Sequence, residues 1–93
     1  HQAKIKGFRI ELDAIDAEIR QYTHCLSRST VVNNKLYCFL ECLKEKIDID
    51  ALIKKLKEQV EDYCIPHRFI FIETFPRNEN DKIDLEKMIE NNL

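Results

Sequence analysis

Two short segments hold the residues whose types and spacing could do chemistry. Near the start, Lys4 and Arg9 lie on either side of Gly7, the only glycine of the chain. A glycine lets a backbone approach a ligand closely, because it has no Cβ. Near the end, Lys82 lies in a polar loop. A lysine is a compact positive charge on a long stem that can stabilise negative charge on a phosphate or carboxylate, although composition alone favours a solvated lysine here.

The cysteines are weaker candidates for chemistry. Cys25, Cys38, Cys42 and Cys64 form no Cys-x-x-Cys pair, and the histidines near them add no second pair of ligands. Zinc and thioredoxin-type sites are therefore disfavoured, and no metal site is predicted. Cys38 and Cys42 are expected to share one face of a strand and to pack there as small hydrophobic residues. The cysteine content is too low for a disulfide scaffold, which favours a reduced, cytoplasmic setting.

Composition limits the size and the partners of the chain. Its 93 residues suffice for one small domain with a modest core. Lys and Arg number 15 against 17 Asp and Glu, a net charge of −2, so electrostatic binding to nucleic acid is not expected. The sequence shows no signal peptide and no membrane-spanning apolar run. A single glycine excludes a glycine-rich phosphate loop, so a partner would have to hold the phosphates of any bound ATP.

The elements that must position these residues follow from the apolar pattern. It predicts the order strand, helix, strand, strand, helix, strand, loop, helix. Residues 3–11 are typical of a hairpin or bent strand pair that turns at Gly7. A helix over residues 13–22 should follow, with Asp13 as its N-cap.

The second half of the chain carries clear turn and cap signals. Asn33-Asn34 predicts a tight turn between strands at 30–33 and 36–43, because asparagine tolerates positive φ. The remaining elements are a helix capped by Asp48 or Asp50, an apolar strand at 68–75, a polar loop at 76–82 and a final helix capped by Asp84. The fold class is therefore α+β: a small sheet with helices packed against one face, plus an N-terminal β-hairpin.

Three segments resemble signature motifs of the adenylate-forming superfamily. Residues 2–12 read QAKIKGFRIEL and are similar to the segment that opens the C-terminal subdomain just past its hinge. Residues 80–84 read NDKID and resemble the closing motif with the catalytic lysine, and residues 63–66 read YCIP and match a motif between the two. The resemblance is strongest to amino-acid adenylation domains of nonribosomal peptide synthetases and to D-alanine–carrier-protein ligases. It implies one domain over 1–93, with a hairpin at 1–11 and a catalytic-lysine loop at 76–84.

The resemblance also implies two half-reactions. A carboxylate attacks the α-phosphate of ATP to give an acyl-adenylate and pyrophosphate, and a phosphopantetheine thiol then takes the acyl group and releases AMP. It implies that Lys82 is catalytic in the first step, and that Lys4, Gly7 and Arg9 face the pantetheine in the second. One departure from the motif concerns the lysine loop, where Asp81 occupies the position of the family's glycine.

The implied cofactors are ATP and Mg²⁺, held mainly by a large subdomain outside this chain, with phosphopantetheine of a carrier protein or CoA as the acceptor. The implied partners are the large N-terminal subdomain of the same enzyme and an acyl or peptidyl carrier protein, without nucleic acid or membrane. The isolated chain is not expected to be active, and the loop at 76–82 is expected to be mobile on its own. Two alternatives remain open: a non-catalytic module that binds a carrier protein or other partner, and the lid of an acyl-CoA synthetase.

Overall fold

The computed structural model describes residues 2–93. Its first two strands, β1 (Gln2–Ile5) and β2 (Phe8–Glu11), pair antiparallel. Lys6 and Gly7 join them with φ angles of 50° and 84°, a left-handed turn that glycine adopts without strain. The predicted N-terminal hairpin is confirmed.

Strand β2 runs directly into helix α1 (Leu12–Thr23). Glu11 occupies the N-cap position and makes no side-chain capping hydrogen bond. The prediction that Asp13 caps this helix is therefore wrong, because no loop separates the strand from the helix and the helix begins before Asp13. Asp13 lies in the first turn instead, where a carboxylate interacts favourably with the helix dipole.

The second sheet has the strand order β3–β4–β5. Its strands are β3 (Leu26–Val32), β4 (Lys35–Glu41), which pairs antiparallel with β3, and β5 (Arg68–Ile72), which pairs parallel with β4. Asn33 and Asn34 connect β3 to β4 with φ angles of 51° and 62°. The predicted asparagine turn is confirmed, although β3 begins four residues earlier than expected.

Two further helices have aspartate N-caps. Asp48 accepts a hydrogen bond from Ala51 N at the start of α2 (Ile49–Gln59). Asp84 accepts one from Lys87 N at the start of α3 (Leu85–Asn92). Short 3-10 turns at Lys44–Lys46 and Asp62–Cys64 flank α2. None of the helices within residues 2–93 is long and apolar enough to cross a membrane.

The central strand β4 is buried on both faces, and this decides where the helices pack. Leu40 faces α1, α2 and the hairpin, while its neighbour Phe39 faces α3; both are completely buried. The expectation that the helices cover one face is wrong, because Met88 of α3 packs with Phe39 on the opposite face. The α+β class with an N-terminal hairpin is confirmed.

Candidate functional site

The exposed face of the N-terminal hairpin carries two opposed cations. Lys4 of β1 lies directly across from Arg9 of β2, and both side chains are exposed. On the same face, Gln2 Nε2 donates to Glu11 Oε1 at 2.7 Å. Like charges placed opposite each other repel, and an anion lying between the two side chains would relieve that repulsion.

Gly7 lies at the tip of the hairpin and leaves open space around it. A Cβ added at Gly7 would meet no atom within 4 Å. The tip is held from behind, because Lys6 N donates to Asn34 Oδ1 at 2.9 Å. Beside it, the half-exposed ring of Phe8 stacks on Tyr63, with centroids 4.3 Å apart and an interplanar angle of 13°. The first and the middle motif of the sequence are therefore in direct contact.

The Lys82 loop is closed by hydrogen bonds around Asn78. Asn78 Oδ1 accepts from Asn80 N at 2.9 Å and from Lys82 N at 3.1 Å. Asn78 N in turn donates to Lys82 O at 2.8 Å. The sequence offered no residue to hold Lys82, and for this reason a mobile loop was expected. In the structure, Asn78 forms hydrogen bonds with both the N–H and the C=O of Lys82. Only the side chain of Lys82 extends into solvent, without a hydrogen-bond partner among residues 2–93.

Asp81 adopts the conformation that a glycine would take at this turn. Its φ is 60°, in the left-handed region that aspartate and asparagine visit more readily than other non-glycine residues. Asp81 N donates to Asn78 O at 2.9 Å, and Arg77 Nη1 donates to Asp81 O at 2.9 Å. The Lys82 loop therefore turns at Asp81 in a backbone conformation that glycine would also allow.

The hairpin tip and the lysine loop are anchored at opposite ends of β4. The tip bonds to Asn34, which immediately precedes β4, whereas Phe75 N, just before the loop, donates to Glu41 Oε2 at 2.8 Å. Asn34 and Glu41 are seven residues apart, which at strand spacing is about 23 Å. No hydrogen bond among residues 2–93 joins the hairpin to the loop. Gly7 and Lys82 are thus not gathered into one site.

The sequence analysis overlooked a buried polar cluster between α1 and β3. Asp16 is only 5% exposed, and its Oδ1 accepts from Ser27 Oγ at 2.9 Å and from Ser29 Oγ at 2.6 Å. Its Oδ2 accepts from Ser29 N at 3.1 Å. Burial raises the pKa of Asp16, and the serine hydrogen bonds offset only part of that effect. The signal in the sequence was an acid inside the apolar stripe formed by Ile15 and Ile19.

The same cluster contains a thiol. Cys38 Sγ lies 3.2 Å from Ser27 Oγ and is completely buried. Burial raises the pKa of Cys38 to about 12, and its side chain packs in the core as predicted. Within residues 2–93, no group of three or more His, Cys, Asp or Glu side chains is arranged to hold a metal ion.

The chain is similar to nonribosomal peptide synthetases in sequence and in fold. No protein-family model matches the chain. Nonribosomal peptide synthetase 5 of Aspergillus fumigatus is 33% identical over 86 residues, covering 90% of this chain. The solved structure of a four-domain nonribosomal peptide synthetase bound to AMP and glycine superimposes with a TM-score of 0.71 at 32% identity, over 91% of this chain and 7% of that protein. These relatives are nonribosomal peptide synthetases, and the fold of this chain matches that of the C-terminal subdomain of adenylate-forming enzymes.

The fold of adenylate-forming enzymes is matched beyond the peptide synthetases. MatB from Rhodopseudomonas palustris superimposes with a TM-score of 0.83 over 97% of this chain and 19% of that one, at 21% identity. The chain spans about 4% of the length of the first curated relatives it matches. The chain is thus homologous to one small part of much larger peptide synthetases.

Proposed function

We propose that this chain is the mobile lid of an ATP-dependent ligase that activates a carboxylate, in particular that of an amino acid. The observation that carries the proposal is the Lys82 loop. Its backbone is closed on itself through Asn78, and it presents the Lys82 side chain to solvent. Homology to peptide synthetases favours an amino acid as the substrate.

In the first half-reaction, Lys82 stabilises the charge that builds up as the carboxylate attacks the α-phosphate of ATP. An ammonium placed between the two groups acts where negative charge develops, and it also orients the carboxylate for in-line attack. The fixed backbone of the loop supports this role, because less freedom of Lys82 is then lost when the substrate binds. ATP and Mg²⁺ would be held mainly by the large N-terminal subdomain.

In the second half-reaction, the hairpin faces the phosphopantetheine thiol that accepts the acyl group. The open space at Gly7 supports a close approach of backbone to the pantetheine arm. Lys4 and Arg9 supply positive charge next to that approach. Both would suit the phosphate that links pantetheine to a carrier protein.

The partners in this proposal are the large subdomain of the same enzyme and an acyl or peptidyl carrier protein, in the cytoplasm. An acyl-CoA synthetase lid shares both chemical steps, with CoA as the acceptor, and a D-alanine–carrier-protein ligase lid shares the amino-acid substrate class. The peptide synthetase relatives favour a carrier protein over CoA. A purely carrier-binding module would leave the exposed Lys82 without a role.

The first test concerns Lys82. Residues 2–93 would replace the C-terminal subdomain of a peptide synthetase adenylation domain of known amino-acid substrate. Amino-acid-dependent ATP–pyrophosphate exchange would then be compared with that of the large subdomain alone. We expect the chimera to restore exchange, and Lys82→Ala to lower it by about 10²–10³-fold. Lys87→Ala, which removes an exposed lysine of α3, should leave exchange unchanged. Equal exchange with and without Lys82 would refute the catalytic assignment.

The second test separates the hairpin from the loop. Gly7→Asn keeps a residue that tolerates positive φ and adds a side chain that meets nothing in this chain. We expect adenylation to persist and thioester formation on the carrier domain to fall by about tenfold or more, because the side chain obstructs what the hairpin meets outside the chain. An equal loss in both steps would indicate misfolding, and no loss in either would contradict the role of Gly7.

A further inference from the structure

Two cysteines lie just beyond the end of the β3–β4 ladder. Leu26 of β3 lies opposite Glu41 of β4 in the last pair of that ladder, and Cys25 and Cys42 are the residues next to this pair. Both side chains are half-buried and pack against the core on the α1 side of the sheet. Residues directly opposite in an antiparallel pair have Cα atoms about 4.5–5.5 Å apart. Disulfides form across Cα separations of about 4.4–6.8 Å, a range that includes the spacing of the ladder pair next to these cysteines.

The two thiols, and not only their backbones, are close together. Burial raises the pKa of Cys42 to about 12, and the neighbouring Cys25 thiol adds to this rise through hydrogen bonding and charge. Cys25 itself is held in place by Thr23: Cys25 N donates to Thr23 Oγ1 at 3.2 Å, and Cys25 Sγ donates to Thr23 O at 3.3 Å. Cys25 therefore faces Cys42 from a fixed position at the end of α1.

The other two cysteines differ from this pair. Cys38 lies on the same face of β4 but is completely buried, with its thiol against Ser27. Cys64 is half-buried in the 3-10 turn Asp62–Cys64, outside the β3–β4 ladder. Cys64 is therefore the matched control: a half-buried free thiol that does not lie in this register.

We propose that Cys25 and Cys42 form a redox-sensitive pair that a small-molecule disulfide, such as oxidised glutathione, converts into an intrachain disulfide. The Cys25 thiolate attacks one sulfur of oxidised glutathione, so a Cys25–glutathione bond forms and one glutathione leaves as its thiol. Cys42 then loses its proton to water, and its thiolate attacks Cys25 Sγ. The second glutathione leaves as its thiol. In total two protein thiols are oxidised and one glutathione disulfide is reduced to two thiols.

The surroundings of the two thiols determine that Cys25 reacts first and Cys42 second. At neutral pH Cys42 holds its proton, because partial burial and the neighbouring Cys25 thiol raise its pKa to about 12. Once Cys25 carries glutathione it can no longer be an anion, so its charge no longer opposes the ionisation of Cys42. The closing step should still accelerate as the pH is raised, because the attacking species is the thiolate.

The test uses the 93-residue chain, reduced, freed of reductant and incubated with oxidised glutathione under native conditions. Remaining thiols are blocked, and the chain is cut with trypsin and a glutamate-specific protease. The second protease cuts after Glu41 and so separates Cys38 from Cys42. Mass spectrometry should find the Cys25 peptide joined to the Cys42 peptide, with the whole chain lighter by two hydrogens. Circular dichroism confirms that the chain stays folded during the reaction.

Two variants sharpen the result. Cys64→Ser should form the same cross-link at the same rate, and Cys42→Ser should stop at the Cys25–glutathione adduct. Separate glutathione adducts on Cys25 and Cys42, a bond from Cys25 to Cys38 or Cys64, or no reaction of Cys25 would each overturn the proposal. If Cys42→Ser does not fold, the cross-link map of the unchanged chain still decides.

Discussion

Asp16→Ala removes the buried acceptor that joins α1 to β3. The resulting loss of stability depends on the three donors that Asp16 accepts from: Ser27 Oγ, Ser29 Oγ and Ser29 N. Ser29 N cannot turn elsewhere once Asp16 Oδ2 is lost, and an unsatisfied buried N–H costs about 1–3 kcal/mol. The two serine hydroxyls can rotate, and Ser27 Oγ already lies beside Cys38 Sγ. Part of the loss is returned, because the carboxylate no longer has to be buried. We therefore expect the free energy of unfolding to fall by about 2–3 kcal/mol at pH 7.

The pH dependence of this loss gives the sharper test. Burial raises the pKa of Asp16 in the folded chain above the value of 3.8 expected when it is unfolded. The folded state then binds the proton more tightly, so the pH-dependent part of the contribution of Asp16 is fully present below its unfolded pKa and is lost as the pH rises through its folded pKa. The difference in stability between the unchanged chain and Asp16→Ala should accordingly grow as the pH is lowered from 7 towards 4.

Urea unfolding followed by circular dichroism at several pH values measures this difference. Asp50→Ala serves as the control, because Asp50 is an exposed acid in the first turn of α2. Asp50→Ala should change the free energy of unfolding by no more than about 0.5 kcal/mol at any of these pH values. If the loss of stability caused by Asp16→Ala instead shrinks as the pH is lowered, the serine hydrogen bonds outweigh burial. The pKa of Asp16 is then lowered and not raised, which contradicts this prediction.

Two further predictions concern the lysine loop. Asn78→Ala should speed hydrogen exchange of the Lys82 amide by about tenfold, since that amide loses its acceptor at Asn78 Oδ1; NMR exchange rates check this, with the Met88 amide of α3 as the internal reference. Asp81→Val should lower the free energy of unfolding by about 1–2 kcal/mol, because a β-branched residue fits poorly at a φ of 60°. Asp81→Gly should change the free energy of unfolding by less than about 1 kcal/mol, because relief of the left-handed φ is offset by the greater freedom of glycine in the unfolded chain. Urea unfolding compares the two variants, and equal effects would contradict this account.

The turns and most helix starts could be predicted because their causes are local. Gly7 and Asn33-Asn34 have positive φ where the sequence predicted tight turns. Asp48 and Asp84 cap α2 and α3 through their own side chains. A cap or a turn depends on a few neighbouring residues, so the pattern of types along the chain suffices.

Features that depend on the three-dimensional arrangement were missed. The packing of α3 on the far face could not be inferred, because its apolar residues indicate a buried side but not which face of the sheet they meet. Asp16 was overlooked because its partners, Ser27 and Ser29, lie on another element. Lys82 gave no signal of its own beyond a polar loop, and only its resemblance to a motif singled it out.

The distance between the hairpin tip and the Lys82 loop limits how a lid of this kind could work. Buried Ile5 and Ile10 fix the hairpin to the core, and buried Phe75 fixes the base of the lysine loop near the other end of β4. Moving the hairpin tip or the Lys82 loop by about 20 Å relative to the rest of the chain would break that packing. If Lys82 serves one half-reaction and Gly7 the other, the subdomain must turn as a rigid body between them. In the chimera described under the proposed function, a cross-link that ties this chain to the large subdomain with Lys82 facing the substrate should therefore permit adenylate formation and block thioester formation.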